Sequence, residues 1–388
     1  MLPRLLDNDL YKFTMQQAVL ELFPNAWAKY TFINRGNHKF TIQFIDHFRE
    51  SLDLLSKASI SSREIDEFKV KCPYLKPWYF EFLRNYKYNL EEVDFHLDLE
   101  GNLHLTIEGP WYRTILWEVP LLYTISKVYF KTVDTNWKND YPLYRASFFS
   151  KLMRMHDCHV TDFGTRRRRD FAHQSLVVEA GTQFPNFSGT SNVLLSIIHH
   201  TRVVGTMAHE WIMGNSILEG LRNANYYALN NWVRVFNASL GTALTDTYGT
   251  DAFLNNFNLR LSKLYDGVRQ DSGNPFVFVS RIANHYESLN IDPMSKVVLF
   301  SDNLTPEKVM EISSFCKGKI KCSFGIGTNF TNDFAFCDSP ALNMVIKLSE
   351  LNRIPVVKLS EDIGKTCGDK DAVRVARWTF NRTSLDAK

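Results

Sequence analysis

Apolar and polar positions follow one rhythm at the two ends of the chain and another in its middle. Near the start, Tyr11, Met15, Ala18 and Leu22 recur at helical spacing. They predict a first helix, capped by Asn8 or Asp9 and closed by Pro24, with Tyr11 on its buried or docking stripe. Residues 27 to 33 alternate as a strand, and helical stretches follow near 41–56 and 62–69. Pro73, Pro77 and the aromatics around them read as a packed connector. Phe95, Leu97 and Leu99 then alternate with polar residues, Gly101-Asn102 turns the chain, and Leu103, Leu105 and Ile107 resume the alternation. That is a hairpin in an antiparallel sheet with one wet face.

From about residue 117 the texture changes. Helical segments over 117–131 and 141–155 lead into alternating strand-like and helix-like stretches. Val203-Val204, Thr242-Ala243-Leu244 and the run Val297 to Phe300 are candidates for fully buried strands. After Pro340, residues 343–349 and 354–359 flank Asn352-Arg353 as a second hairpin. The pattern predicts an α/β protein: a parallel α/β barrel plus a mainly antiparallel α+β domain built from the N-terminal third and the C-terminal tail. The expected division is 1–130 with 340–388 for the antiparallel unit, and 131–339 for the barrel.

Six of the apolar runs after residue 160 end in ligand-handling residues: Phe163 to Arg167, Gly205 to Glu210, Leu244 to Asp246, Val268 to Gly273, Ser301 to Asn303, and Gly325 to Thr328. Parallel barrels place their active-site groups just past the C-terminal ends of their strands, so six such clusters in series read as one rim.

Composition narrows the class. The 388 residues include 45% hydrophobic positions and 29 Phe, ample for a large core and unlike a disordered chain. A net charge of +3 does not by itself imply nucleic-acid binding. No apolar run approaches membrane-spanning length, and Asp7, Asn8 and Asp9 stand where a signal peptide needs its apolar core, which points to the cytoplasm. Six scattered cysteines fit reduced thiols there. His156, Cys158 and His159 lack a second ligand pair at zinc-finger spacing.

Within the rim, Gly325 and Gly327 let backbone N–H groups approach an anion and Thr328 adds a donor, although an ordinary glycine turn has the same letters. Thr190 and Ser191, before an apolar helical run, offer either a second anion site or a plain helix cap. Arg166 to Arg169 read as a solvated face or, with Gly164-Thr165 before them, as an alternating pair facing inward toward phosphate or carboxylate. Arg269 is a second such candidate, with Asp271 to orient it. His209 is followed directly by Glu210, a carboxylate able to orient and charge an imidazole. Asp246 and Asp302 suit a metal, ribose hydroxyls or a helix cap. The sum favours a polyanionic ligand with hydroxyls and Mg²⁺.

These motifs, together with Asp9 to Met15 and Gly189 to Asn192, resemble the nicotinate phosphoribosyltransferase family in identity and order. The resemblance implies an irregular α/β barrel with a sandwich-like domain from the two chain ends. It implies that nicotinate and phosphoribosyl pyrophosphate give nicotinate mononucleotide and pyrophosphate, coupled to ATP hydrolysis through a phosphohistidine at His209. Asp246 joins His209 and Glu210 as a catalytic candidate. Tyr11, Thr206 and Arg269 would serve the nicotinate site with Arg166 and Asp271, and Thr328 would bind phosphate. A homodimer with shared sites follows from the same resemblance. Several relatives have Gly-Asp-Pro where this chain has Gly273-Asn274-Pro275, which puts a metal or hydroxyl contact from position 274 in question. The rival readings are a sister enzyme acting on nicotinamide or quinolinate, a non-catalytic phosphosugar-binding barrel, and a nucleic-acid-binding protein using the arginine block.

Overall fold

In the computed structural model, which describes residues 3–137, 140–334 and 337–382, eleven strands are named in chain order. They are β1 (Trp27–Asn34), β2 (Val93–Leu97), β3 (Leu103–Pro110), β4 (Val160–Asp162), β5 (Phe187–Thr190), β6 (Thr242–Leu244), β7 (Gly267–Gln270), β8 (Val297–Phe300), β9 (Lys321–Ile326), β10 (Met344–Leu351) and β11 (Ile354–Pro355). The alternating stretches gather into one antiparallel sheet of order β11-β10-β1-β3-β2. Its inward positions are those the alternation marks: Ala28, Tyr30 and Phe32 on β1, and Leu103, Leu105 and Ile107 on β3, are buried. Leu99 departs from the expectation. It lies in the turn after β2 and is fully exposed.

The short apolar runs form a second sheet, parallel throughout, of order β5-β4-β9-β8-β7-β6. Its outer strands β5 and β6 share no ladder among the described residues. The segment around Val203 stands between them: Thr190 N–H donates to the Arg202 carbonyl, Val204 N–H donates to the Thr190 carbonyl, and Thr206 Oγ1 donates to the Thr242 carbonyl at 3.1 Å. Val203-Val204 is therefore a half-buried bridge, not the buried strand its apolar pair suggests.

Helix α1 (Leu10–Leu22) packs against the short helix over Trp111–Thr114 and the helix over Ala224–Phe236. Lys12, Thr14, Gln16 and Gln17 are buried along with its apolar residues, so the helix has no wet face, and most of its polar groups find partners inside. Gln16 Nε2, for example, donates to the Tyr112 carbonyl at 2.7 Å. Three further helices frame the site: α2 (Glu118–Thr132), α3 (Val193–Ile198) and α4 (His209–Leu218). The region expected to be a connector contains a helix over Pro77–Asn85, with proline at its first position and Tyr79, Phe80 and Leu83 buried. Among the described residues no helix is long and apolar enough to cross a membrane.

Candidate active site

The C-terminal ends of the parallel strands open into a cleft of two contiguous cavities, of about 640 and 620 Å³. Both are lined by Arg166, Arg167, Asp271, Ser301 and Asn303. The first adds Phe163, Arg269, Gly325, Gly327 and Thr328. The second adds Tyr11, Arg35, His209, Glu210, Lys358 and Lys365. Tyr11 reaches the rim because α1 docks within its own chain: Leu10 N–H donates to the Ser191 carbonyl at 2.8 Å, and Thr14 Oγ1 donates to the Thr206 carbonyl at 2.6 Å.

His209 opens α4, and its Nε2 lies 2.8 Å from Asp246 Oδ1 and 3.8 Å from Asp271 Oδ2. Asp246 is buried; its other oxygen accepts from Ser272 Oγ at 2.6 Å and faces Lys358 Nζ at 3.4 Å. Burial, with Lys358 adding to it, holds the imidazole below its ordinary range, so the ring is neutral at neutral pH. Burial opposes the charge on Asp246, but Lys358 and then His209 hold it well below the usual carboxylate range.

The carboxylate that orients His209 is therefore Asp246, and not Glu210. Successive side chains on a helix diverge, so Glu210 turns toward Lys12, whose ammonium sits 2.6 Å from it and 2.5 Å from Glu118. Of these two buried carboxylates sharing one cation, burial and Glu118 leave Glu210 raised, whereas Lys12 and Arg166 overcome burial and keep Glu118 ionised.

The arginine block divides by position. Residues 165–167 form a 3-10 turn rather than a strand, so the pair lining the cleft is the consecutive Arg166 and Arg167 and not an alternating one. Arg166 reaches Glu118 at 3.3 Å. No hydrogen bond or ion pair engages the Arg167 guanidinium among the described residues; burial, with Arg166 and Arg35 nearby, lowers it to about 10. Arg168 is buried in a bidentate pair with Asp7 at 2.8 and 2.6 Å. Arg169 is buried over the Phe130 ring and donates to Ser339. Arg269 donates to Ser301 Oγ at 2.8 Å and to Asp271 Oδ1 at 3.0 Å, the orienting contact its sequence neighbour suggests. Burial alone would raise Asp271, but Arg269 and then His209 bring it down to about 2.

Thr190 and Ser191 lie outside both cavities and are buried. Their hydroxyls donate to Asp162 and Asp9 at 2.7 and 2.8 Å. The N-terminus of α3 is closed as well, since the N–H groups of Val193 and Leu194 donate to the carbonyls of Asn8 and Leu6, and Leu195 N–H to Asn192 Oδ1. An anion has neither room nor donors there. Thr206 also spends its hydroxyl on backbone, while Gly325, Gly327 and Thr328 do line the cleft. Asp302 is paired with Lys365 at 2.6 Å, which occupies it with a cation from the chain itself. Asn274 accepts from the N–H groups of Phe276 and Val277 as a helix cap. Among the described residues one group has the spacing of a metal cluster, His209 with Asp246 and Asp271. The run His156 to His159 does not.

Lys358, Lys365 and Arg35 are the site residues the sequence reading missed. Their signal was thin: Lys358 is a lone cation in the apolar stretch Ile354 to Leu359.

The nicotinate phosphoribosyltransferase (NAPRTase) family profile matches residues 158–384, and that of the NAPRTase N-terminal domain matches residues 6–126. The nicotinate phosphoribosyltransferase of Methanococcoides burtonii is 47% identical over 403 residues, covering 100% of this chain and 99% of the relative. That of Methanosarcina mazei is 45% identical, with 100% of both chains covered. The crystal structure of nicotinate phosphoribosyltransferase from Porphyromonas gingivalis superposes with a TM-score of 0.93 at 37% identity, covering 98% of this chain and 100% of that one.

Proposed function

The chain belongs to the nicotinate phosphoribosyltransferase family, and from that premise we propose how its cleft divides the reaction. The protein is an enzyme that joins nicotinate to the phosphoribosyl group of phosphoribosyl pyrophosphate, forming nicotinate mononucleotide for NAD synthesis. One observation carries the assignment of roles. Three guanidiniums, of Arg166, Arg167 and Arg269, converge with the Gly325–Thr328 turn on a cleft whose other half presents a neutral, carboxylate-held histidine.

The pyridine nitrogen needs no general base, because its lone pair is already free. It attacks the anomeric carbon as the bond from that carbon to pyrophosphate breaks, through an oxocarbenium-like state. Arg167, a cleft cation without an ion-pair partner among the described residues, meets an anionic group of the substrates, while Arg166, Arg269 and Thr328 hold the others in register. Tyr11 covers the pyridine from its own chain's first helix. The parallel sheet and the segment around Val203 act as an irregular barrel, with 131–339 as the catalytic unit and 1–130 with 340–388 as the second.

His209 is the phosphoryl relay. Its Nε2–H stays with Asp246, so the Nδ1 lone pair takes the γ-phosphoryl group of ATP. An N–P bond forms as the P–O bond to ADP breaks, and the departing ADP oxygen keeps the electron pair. The carboxylates around it do not fit a resident Mg²⁺: Asp246 is engaged by Ser272 and Lys358, Asp271 by Arg269 and Ser301, and Asp302 by Lys365. A hard cation would enter instead as a counter-ion on the polyphosphate substrates, neutralising their charge. The family resemblance supports a homodimer working in the cytoplasm. Within this chain Tyr11 lines the cleft.

Incubation with nicotinate, phosphoribosyl pyrophosphate, Mg²⁺ and ATP tests the whole scheme by following mononucleotide and ADP together, with nicotinamide and quinolinate as the comparison panel. His209→Asn is expected to lose ATP-dependent product formation while keeping slow, uncoupled transfer. An acid-labile phosphoenzyme in that variant would remove His209 from the relay.

A further inference from the structure

The C-terminal part of the chain crosses the mouth of the parallel sheet as a strap. Leu359 N–H donates to the Thr247 carbonyl past the end of β6 at 2.8 Å. Ser360 Oγ and Glu361 N–H both donate to Ser272 Oγ past the end of β7, at 2.9 and 3.1 Å. Lys365 Nζ donates to Asp302 past the end of β8 at 2.6 Å. Lys358 heads this strap, and its main chain exchanges two 2.9 Å hydrogen bonds with Cys367. The residue is only 6% exposed, and its ammonium lies 3.4 Å from Asp246 Oδ2.

The two oxygens of Asp246 have separate duties. Oδ1 meets the His209 ring, and Oδ2 meets Ser272 and the Lys358 ammonium. A buried carboxylate left with only a neutral imidazole and a hydroxyl would be short of counter-charge and free to turn. Resting on the phosphohistidine reading, we propose that Lys358 is a positioning residue of the relay: it acts through Asp246, fixing the carboxylate that presents the His209 ring to ATP, and does not itself bind the transferred phosphoryl group. Ser272 is fastened to the same strap, so the carboxylate is held from one piece of chain on both counts.

The test uses the full-length protein and ATP labelled in its γ-phosphate, reading the maximal rate of acid-labile labelling at saturating ATP. Lys358→Met is expected to lower that rate about 10- to 100-fold, the range for outer partners that orient a working ligand. Lys358→Arg should recover most of the loss, since charge and reach are kept. In an Asp246→Asn background, Lys358→Met should add little, because the residue through which it acts is already changed. Labelling at the wild-type rate would overturn the proposal. So would a defect confined to the ATP concentration needed, or a loss that multiplies with Asp246→Asn, either of which means direct phosphate contact. Should Lys358→Met fail to unfold cooperatively, Lys358→Gln carries the same readouts. Wild-type protein is labelled first: no label on His209 would bring down the relay reading, and this proposal with it, whereas a labelled wild type isolates the role of Lys358.

Discussion

His209 and Glu210 stand side by side in the chain, yet a helix turns successive side chains about 100° apart, and the two serve different networks. Glu210 belongs with Glu118 around the buried Lys12 ammonium. Lys12→Met would strand both carboxylates and is expected to destabilise the protein by about 3–5 kcal/mol, the scale for removing one partner of a buried ion pair. Glu210→Gln removes one of two like charges competing for that cation and should shift the urea midpoint far less. Denaturant unfolding of the two variants checks the contrast; equal losses would mean that Glu210 is an ordinary ion-pair partner. At this scale the sequence showed the histidine clearly and its carboxylate wrongly. Asp246 is 37 residues further on, past the end of β6, and only the packing of the segment after Val203 against that strand brings the two together.

The N-terminus of α3 teaches the same lesson for an element. Gly189 to Asn192 before an apolar helix reads equally as an anion site or a cap, and what decides is a segment more than 180 residues away in sequence, whose carbonyls at Leu6 and Asn8 fill the helix end. Thr190 thus supports a buried carboxylate, Asp162, which burial pushes up to about 6 despite hydrogen bonds from Gln174 and Thr190. Thr190→Val is expected to cost about 1–3 kcal/mol of stability while leaving the KM for phosphoribosyl pyrophosphate unchanged. A raised KM in a fully folded variant would return Thr190 to the phosphate site. Elements with strong local signals were legible: the hairpin of β2 and β3, the helix over Ile42–Leu55, and β8. The helix over Pro77–Asn85 was not, because prolines and crowded aromatics hid a short amphipathic stretch.

Across the whole molecule, the cleft draws Tyr11 and Arg35 from the beginning of the chain, the strand ends from its middle, and Lys358 and Lys365 from near its end. A ligand that bridges such distant parts stabilises all of them at once. Phosphoribosyl pyrophosphate at about 100 times its Kd should add about 2.7 kcal/mol to unfolding, read as a rise in Tm that ribose without phosphates does not reproduce. An equal rise with ribose would mean that the arginines are not the anchor. The chain showed where its texture changes and which clusters line the rim. It did not show the cations that come from the antiparallel part, because a single lysine in an apolar stretch has no pattern of its own.

The strap has a consequence in time. Synthesis runs from the N-terminus, so residues 358–365 emerge after all six parallel strands and after His209, Asp246 and Asp271. A chain interrupted before that point can own every rim residue from the middle of the sequence and still lack the cation behind Asp246 and the hydrogen bonds that pin Ser272. Chains interrupted before residue 358 would then be slow toward ATP, so the relay waits on a stretch made after every strand of the parallel sheet it serves.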